Sequence, residues 1–409
     1  MTAKKSILFI TVTFPPRLSV ASLRLYNYAK LFSDHGWNVH ILTCAQKGEK
    51  ISDEFDLNGL NICHVDWKDP FDFTFKIKNL FLRKVFTKGL SFFIPYLASW
   101  WPDLRFRNWR KNTITHANEL IKKEQITHVY SSFSPPSPHM VAHELKKKNK
   151  HIVWIAEFRD LMSFSHANTS MKKLFAKLHF RYETRLLESA SDILCVSKGH
   201  AEFLQEKLGR KVNVLLNGCD FSQYENIEPE PSSEFTITYT GNIYLKRNDI
   251  QLFLKAIQVL VYAQNKKIKL KFVGTPKSTY LLSSIQKNKL QDHVIFLPKM
   301  SHNEVKKIQK SAHLLLHFCW SNKLQEGNLT GKIFEYISAR VPILSVGEQN
   351  ELKSILNETK SGKICSTLDD IIDFIDSIYC DQPKLIKMSN ETCYYSKLNQ
   401  FKNLENRII

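Results

Sequence analysis

Residues 326–347 read EGNLTGKIFEYISARVPILSVG. A polar turn, Glu326-Gly327-Asn328-Leu329-Thr330-Gly331, leads into segment 332–339, where Ile333, Phe334 and Ile337 share an apolar side and Glu335 lies on another. That spacing predicts a helix. Arg340-Val341-Pro342 stops it, and the apolar run 343–346 predicts a short buried strand. A loop entering a helix presents backbone N–H groups and a positive dipole end to an anion. One turn in, the Glu335 carboxylate would stand beside whatever carries that anion. A phosphate on amides with an acid next to it fits a nucleoside diphosphate whose ribose hydroxyls the acid holds. An ordinary loop–helix–strand with Glu335 in solvent fits the pattern equally well.

Outward from this stretch, strands and helices alternate. In the second half the predicted strands are 235–239, 270–273, 294–297 and 314–318, and the helices are 249–263, 302–311 and 369–378. The first strand runs into Thr240-Gly241-Asn242, with Lys246 and Arg247 four residues on. In the first half, strand 7–12, a turn at Pro15-Pro16, helix 21–32, Gly36 and strand 37–43 form a βαβ unit. Its fully apolar strands predict a parallel sheet. Helix 104–123, strand 127–132, helix 138–148, strand 152–156, helix 171–190, strand 193–196 and strand 212–215 continue it. Two of these strands end in polar tips, Ser131–Pro136 and Glu157-Phe158-Arg159-Asp160, and strand ends are where open α/β sheets bind ligands. Asn217-Gly218 predicts a tight turn with positive φ, and the Pro-containing stretch 225–234 predicts a linker. No G-x-G-x-x-G is present, which excludes a dinucleotide dehydrogenase of the usual kind.

With 409 residues the chain has room for two domains, and 43% hydrophobic with 24% charged residues is ordinary for a globular protein. The first apolar run is too short for a secretory h-region, so a cytoplasmic protein is expected. Eight cysteines without a CxxC pair predict reduced, mostly buried thiols, and no metal site is expected. The net charge of +19 points to an anionic partner. Residues 71–111 are unusual: eleven aromatics, from Phe73 to Trp109, interleave with Lys and Arg, and no acid lies between Asp72 and Asp103. Three readings stay open for this insertion: a segment lying on an anionic membrane, aromatics packed on the domain, or a stacking surface for nucleic acid.

The segment GKIFEYISARVPIL resembles the donor segment of glycosyltransferase family 4, retaining nucleotide-sugar enzymes of the GT-B fold. The resemblance extends to the Pro-Pro loop with Ser19 and Arg24, the Ser/Pro tip, the Glu157–Asp160 tip, the Asn-Gly phrase and the tail with YSKLNQF. It implies two Rossmann-like domains facing a cleft, with residues 1–224 binding the acceptor and 235–387 the donor. Residues 388–409 would form a helix crossing back onto the first domain. In the donor domain it implies that Glu335 holds the ribose and that the amides of Leu329, Thr330, Gly331 and Lys332 hold the diphosphate. Gly241, Asn242, Lys246 and Arg247 would lie near that diphosphate, where Asn242 replaces a family Arg. A second family Glu falls at Gly327, with Glu326 one residue off. In the acceptor domain, Ser19, Arg24, Ser132, Ser134 and Glu157 line the loops, and Arg159, Asp160 and His139 are the polar groups nearest the chemistry.

The activity implied is transfer of a sugar from a UDP- or GDP-linked donor to a glycan acceptor. Transfer would retain anomeric configuration and need no further cofactor, since no Asp-x-Asp closes a strand. The basic insertion suggests an enzyme peripheral on the inner face of the membrane and a lipid-linked acceptor, as in surface-polysaccharide assembly; nucleic acid is not expected. Two other classes would share features with it. A sugar-nucleotide epimerase or phosphorylase would use the same donor residues, and a non-catalytic basic protein would explain the charge alone.

Overall fold

The structure, a computed structural model, describes residues 5–17, 19–44, 55–68, 105–163, 176–243, 249–319, 327–381 and 386–409. It divides into two units, Met1–Leu215 with Asn403–Ile409, and Leu216–Lys402. Each contains one parallel sheet.

In the first unit, β1 (Ser6–Ile10), β2 (Asn38–Cys44), β3 (Leu60–Val65), β4 (His128–Phe133), β5 (Val153–Phe158), β6 (Asp192–Cys195) and β7 (Asn213–Val214) lie in the order β3-β2-β1-β4-β5-β6-β7. Helices α1 (Val20–Asp34), α2 (Arg107–Lys123), α3 (Ser137–Lys148), α4 (Ala176–Leu187) and α5 (Lys198–Leu208) connect them. SILFI in β1 is buried at every position, as a central parallel strand covered on both faces must be. The edge strand β3, LNICHV, is half exposed, so its sequence shows no apolar run and only the structure reveals it.

The second unit opens on a short helix, α6 (Ser222–Glu225). Its sheet contains β8 (Phe235–Thr240), β9 (Ile268–Val273), β10 (Val294–Leu297), β11 (Leu314–Phe318), β12 (Ile343–Val346) and β13 (Gly362–Cys365), in the order β10-β9-β8-β11-β12-β13. The helices are α7 (Asp249–Gln258, prolonged by a π turn, Val259–Ala263), α8 (Thr279–Lys287), α9 (His302–Lys310), α10 (Gly331–Ala339), α11 (Asn350–Thr359) and α12 (Leu368–Asp381). In both sheets the strand order reverses beside the first strand, at β1/β4 and at β8/β11. Such switch points are where doubly wound sheets bind ligands.

The division between units falls at Leu215/Leu216, earlier than the linker expected at 225–234. The reason is local. Gly218 takes φ +75°, and a Cβ there would meet the Lys397 backbone at 2.8 Å. Cys219 pairs with Ser396, Asp220 N–H donates to Ser338 Oγ at 2.9 Å, and Tyr224 is buried with its hydroxyl on Gln309 Oε1 at 2.6 Å. The chain is therefore already committed to the second unit before residue 225. The tail is a 3-10 turn, Asn390–Tyr395, followed by α13 (Lys397–Ile408). Its last residues belong to the first unit, where Trp37 Nε1 donates to Glu405 at 2.7 Å and the Ile408 carbonyl lies 2.9 Å from His128 Nε2.

Residues 69–104, most of the basic aromatic insertion, lie outside the described residues. Its described end packs on the domain: Trp109 is fully buried, and Phe106 stacks on Trp67 at 5.0 Å. Among the described residues no helix is long and apolar enough to cross a membrane. The described cysteines are all free thiols; Cys380 and Cys393 are exposed, while Cys44, Cys195, Cys219, Cys319 and Cys365 are buried.

Candidate functional site

In the second unit, α10 starts where the sequence predicts and ends at Arg340, which adopts the left-handed conformation at φ 57°. Ile333, Phe334 and Ile337 are buried, with Tyr336 beside them. Two side chains spaced i, i+4 face the end of β8. The amide of Thr240 donates to the Tyr336 hydroxyl at 3.0 Å, tying helix to strand. The Lys332 ammonium lies 4.0 Å from the centre of the Tyr239 ring. The turn after β8 is itself fixed, because the Tyr239 hydroxyl donates to the Asn242 carbonyl at 2.7 Å and the Thr275 hydroxyl donates to Gly241 O at 2.6 Å. Gly241 takes φ +98°, and a Cβ there would come within 3.3 Å of Lys332 Nζ.

Ahead of the helix, Leu329 is buried and Thr330 is the N-cap. The Thr330 hydroxyl makes no capping bond and lies 3.4 Å from His317 Nε2, whose Nδ1 is 2.8 Å from Ser345 Oγ. Glu335 is half-buried on the opposite side from the core. Among the described residues it has no hydrogen-bond or ion-pair partner. Gly241, Asn242, Leu329, Thr330, Gly331, Lys332 and Glu335 thus come from the two strand ends flanking the β8/β11 switch point. Lys246, Arg247 and Glu326, expected beside them, lie outside the described residues. Tyr239, Thr275, His317 and Tyr336 were not among the expected site residues; each holds its neighbours through a polar atom, Tyr239 and His317 from strands, Tyr336 from α10 and Thr275 from the loop after β9.

In the first unit the expected residues form a buried network. Glu157 is fully buried on β5. It accepts from Arg24 Nε at 2.8 Å, Tyr130 Oη at 2.6 Å and Ser132 Oγ at 2.7 Å. Burial works against its charge, yet Arg24, Tyr130 and Ser132 hold the carboxyl below its ordinary value. Arg24 also donates from Nη2 to Leu215 O at 2.7 Å and lies over the Tyr28 ring. Arg159 Nε donates to Phe133 O at 2.8 Å and to Ser132 Oγ at 3.1 Å, so the tips of β4 and β5 are laced together. Asp160 and Ser134 are exposed at those tips.

Three expectations change. Arg24 and Glu157 are not ligand-facing loop residues but a buried ion pair, because a charge on a central strand must be paired to be buried at all. Ser19 caps α1, accepting from Ser22 N–H at 3.0 Å while its own N–H donates to Ser22 Oγ at 2.8 Å. His139 is fully buried 2.7 Å from Ser131 Oγ and packs against Phe158. Burial pulls its imidazole down to about 3, so it stays neutral.

A group missed in the sequence is Glu183, on α4 and almost fully buried. Its Oε2 accepts from Ser163 N–H at 3.2 Å and Oγ at 2.5 Å, which anchors the loop that follows Asp160. Burial pushes the carboxyl up to about 7. A folded value above the ordinary 4.5 means the fold favours the neutral form. That stability is complete below about 4.5 and is lost as pH rises through about 7. Thermal unfolding of the protein should therefore move to lower temperature between pH 5 and pH 8, by up to roughly 3 kcal/mol of stability. Glu183→Gln should flatten that pH dependence; an unaltered profile would show that Glu183 is not its source.

The comparisons with known proteins agree with this geometry. Residues 21–223 match the model of Glycosyltransferase Family 4, and residues 220–393 match Glycosyl transferases group 1. Taken with two doubly wound sheets and a helix start at the second switch point, these matches make the chain a glycosyltransferase of the GT-B class. Its halves are those of family 4-like enzymes.

Among solved structures, a glycosyltransferase from Rickettsia africae ESF-5 is similar at 15% identity, covering 99% of this chain and 98% of that one, TM-score 0.64. The apo lipopolysaccharide outer core galactosyltransferase WaaB is similar at 13% identity, covering 98% and 99%, TM-score 0.61. A putative UDP-N-acetylglucosamine 2-epimerase from Listeria monocytogenes shares the fold at 9% identity, covering 99% and 96%, TM-score 0.56. No curated protein sequence matches the chain.

Proposed function

We propose that this protein is a retaining glycosyltransferase that moves a hexosyl group from a UDP- or GDP-sugar to a glycan acceptor in cell-surface polysaccharide synthesis. The observation that carries the reading is α10. Its first turn sits at the β8/β11 switch point, and the half-buried Glu335, without a partner among the described residues, stands one turn further on. The first amides and the helix dipole suit a diphosphate, and the carboxylate suits two ribose hydroxyls. Arg159, fixed on the β4 tip, and exposed Asp160 are the first-unit groups offered to an acceptor.

In the transfer, the bond from the anomeric carbon to the β-phosphate oxygen breaks as the acceptor hydroxyl oxygen bonds to that carbon on the same face. The hydroxyl proton goes to the departing phosphate oxygen. No protein base is needed on this route, consistent with a neutral, buried His139. Dipoles aimed at the leaving diphosphate lower the barrier as its charge develops.

A thermal-shift panel of UDP, GDP, ADP and CMP, free and as sugar conjugates, tests the donor site. One nucleoside diphosphate and its sugar should raise the unfolding temperature, since a ligand of the folded state stabilises it. No shift with any would defeat the reading. Product analysis with the active donor should show an acceptor glycoside of retained configuration; a rearranged sugar nucleotide would make the enzyme an epimerase.

The acceptor is proposed to be lipid-linked and the enzyme peripheral on an anionic membrane, from the cationic, aromatic composition of residues 71–111. Reversing several Lys and Arg charges between 76 and 110 should abolish sedimentation with anionic liposomes and leave nucleotide affinity intact. Loss of both together would assign the stretch to the fold.

A further inference from the structure

We infer that the acceptor of this enzyme carries an oxyanion, a carboxylate or a phosphate, and that Arg159 binds it. The inference rests on the glycosyltransferase reading above and adds the chemical class of the acceptor.

What carries it is an unbalanced charge at the tips of β4 and β5. The Glu157 carboxylate is already committed. Its Oε1 accepts from Arg24 Nε at 2.8 Å and Tyr130 Oη at 2.6 Å, and its Oε2 accepts from Ser132 Oγ at 2.7 Å. One negative charge is thus matched by the Arg24 guanidinium. Arg159 is a second cation in the same network, and it bonds to Glu157 only through the Ser132 hydroxyl. Among the described residues no carboxylate forms an ion pair with Arg159. Asp160, next in the chain, is exposed, so water screens its attraction for the guanidinium. Burial outweighs both Glu157 and Asp160 and pulls Arg159 below its ordinary value. The following segment supplies no missing acid. Between Asp160 and Glu183 there is none, whereas Lys172, Lys173, Lys177 and Arg181 fall within it. A charge withdrawn from water needs a partner, and here a ligand has to supply it.

The shape of the site says which kind. Arg159 Nε donates to Phe133 O at 2.8 Å and to Ser132 Oγ at 3.1 Å, which fixes the guanidinium from one edge. Its Nη2 lies 3.4 Å from Ser134 O, at the long end of a hydrogen bond, and Nη1 has no partner among the described residues. The side chain is half-buried, so it is still open to solvent on one side. A planar fork of N–H donors, held in place at a strand end, suits two oxygens of one carboxylate or phosphate. A neutral sugar hydroxyl would accept a hydrogen bond and leave the charge unbalanced.

The test is calorimetric titration of wild type and Arg159→Gln with glucuronate, glucose 6-phosphate and glucose. An excess of the nucleoside diphosphate that stabilises the protein keeps the sugar phosphate off the donor site. Wild type should bind glucuronate or glucose 6-phosphate at least about tenfold more tightly than glucose, as a charge-assisted hydrogen bond implies. Whichever is preferred identifies the oxyanion as carboxylate or phosphate. Arg159→Gln should lose the preference and keep its nucleotide affinity. Equal binding of all three sugars by wild type, binding of neither anionic sugar, or a preference that survives in Arg159→Gln would each overturn the inference. Failure of the donor reading shows separately, as a protein stabilised by no nucleotide; the sugar titrations are then run without one and read in the same way. Should Arg159→Gln unfold, phenylglyoxal labelling of wild type, mapped by mass spectrometry, takes its place. The anionic sugar should protect Arg159 and glucose should not; equal labelling with both would overturn the assignment.

Discussion

Arg24→Met should destabilise the protein by about 3–5 kcal/mol, the largest effect of any single substitution considered for it. The reason is what it leaves behind. Glu157 has no exposure to water, and its carboxylate is held by Arg24, Tyr130 and Ser132. With the guanidinium gone, a charge remains in the core with two neutral donors. Leu215 O also loses its partner at the last residue of the first unit.

Denaturant unfolding checks the magnitude, and the double substitution Arg24→Met with Glu157→Gln checks the cause. Removing both charges should recover most of the loss, because a buried pair is weakly stabilising as a pair but costly to break. A double variant as unstable as the single one would place the damage in packing. The pH dependence has a definite sign. The Glu157 carboxyl lies below its ordinary value in the fold, so its stabilisation is present above the unfolded carboxylate range and is lost as pH falls through the folded value. Without Arg24, burial pushes the Glu157 carboxyl up, so the deficit of Arg24→Met relative to wild type should shrink as pH falls and the carboxylate is neutralised. Glu183 acts in the opposite direction at higher pH, so the two can be separated in one profile.

Glu335→Ala should weaken binding of the cognate nucleoside diphosphate at least about tenfold, since a hydrogen bond to a charged group is worth roughly 1.5–3 kcal/mol. Stability should hardly change, because among the described residues Glu335 supports nothing. A carboxylate that holds ribose hydroxyls must also discriminate between ribose and deoxyribose. Wild type should therefore prefer the ribonucleotide, and Glu335→Ala should lose that preference for diphosphate and monophosphate alike. Equal affinity of Glu335→Ala and wild type would remove Glu335 from the site.

Much of the architecture was legible in local pattern. Unbroken apolar runs such as SILFI mark strands buried on both faces, and ILSV after a proline marks another. The helix GKIFEYISA shows its buried side in its spacing and its end in Arg340-Val341-Pro342. These features depend on residues within one or two turns of each other, and burial of a whole strand leaves a signature in that strand alone. Asn217-Gly218 likewise carried its turn in its own residue types.

Partnership was not legible, because it links residues far apart in the chain. Glu157 at a strand end reads as a polar tip, and only the tertiary structure brings Arg24 to it across 133 positions. His139 reads as a reactive group until the packing of Phe158 and Ser131 buries it. Sequence by itself determined the buried strands and amphipathic helices, though not the half-exposed edge strand β3, since hydrophobic burial is periodic and local. The tertiary structure decided which charged groups are buried in pairs and which are left exposed at strand ends. That choice is made by desolvation and pairing between distant segments, and no local pattern contains it.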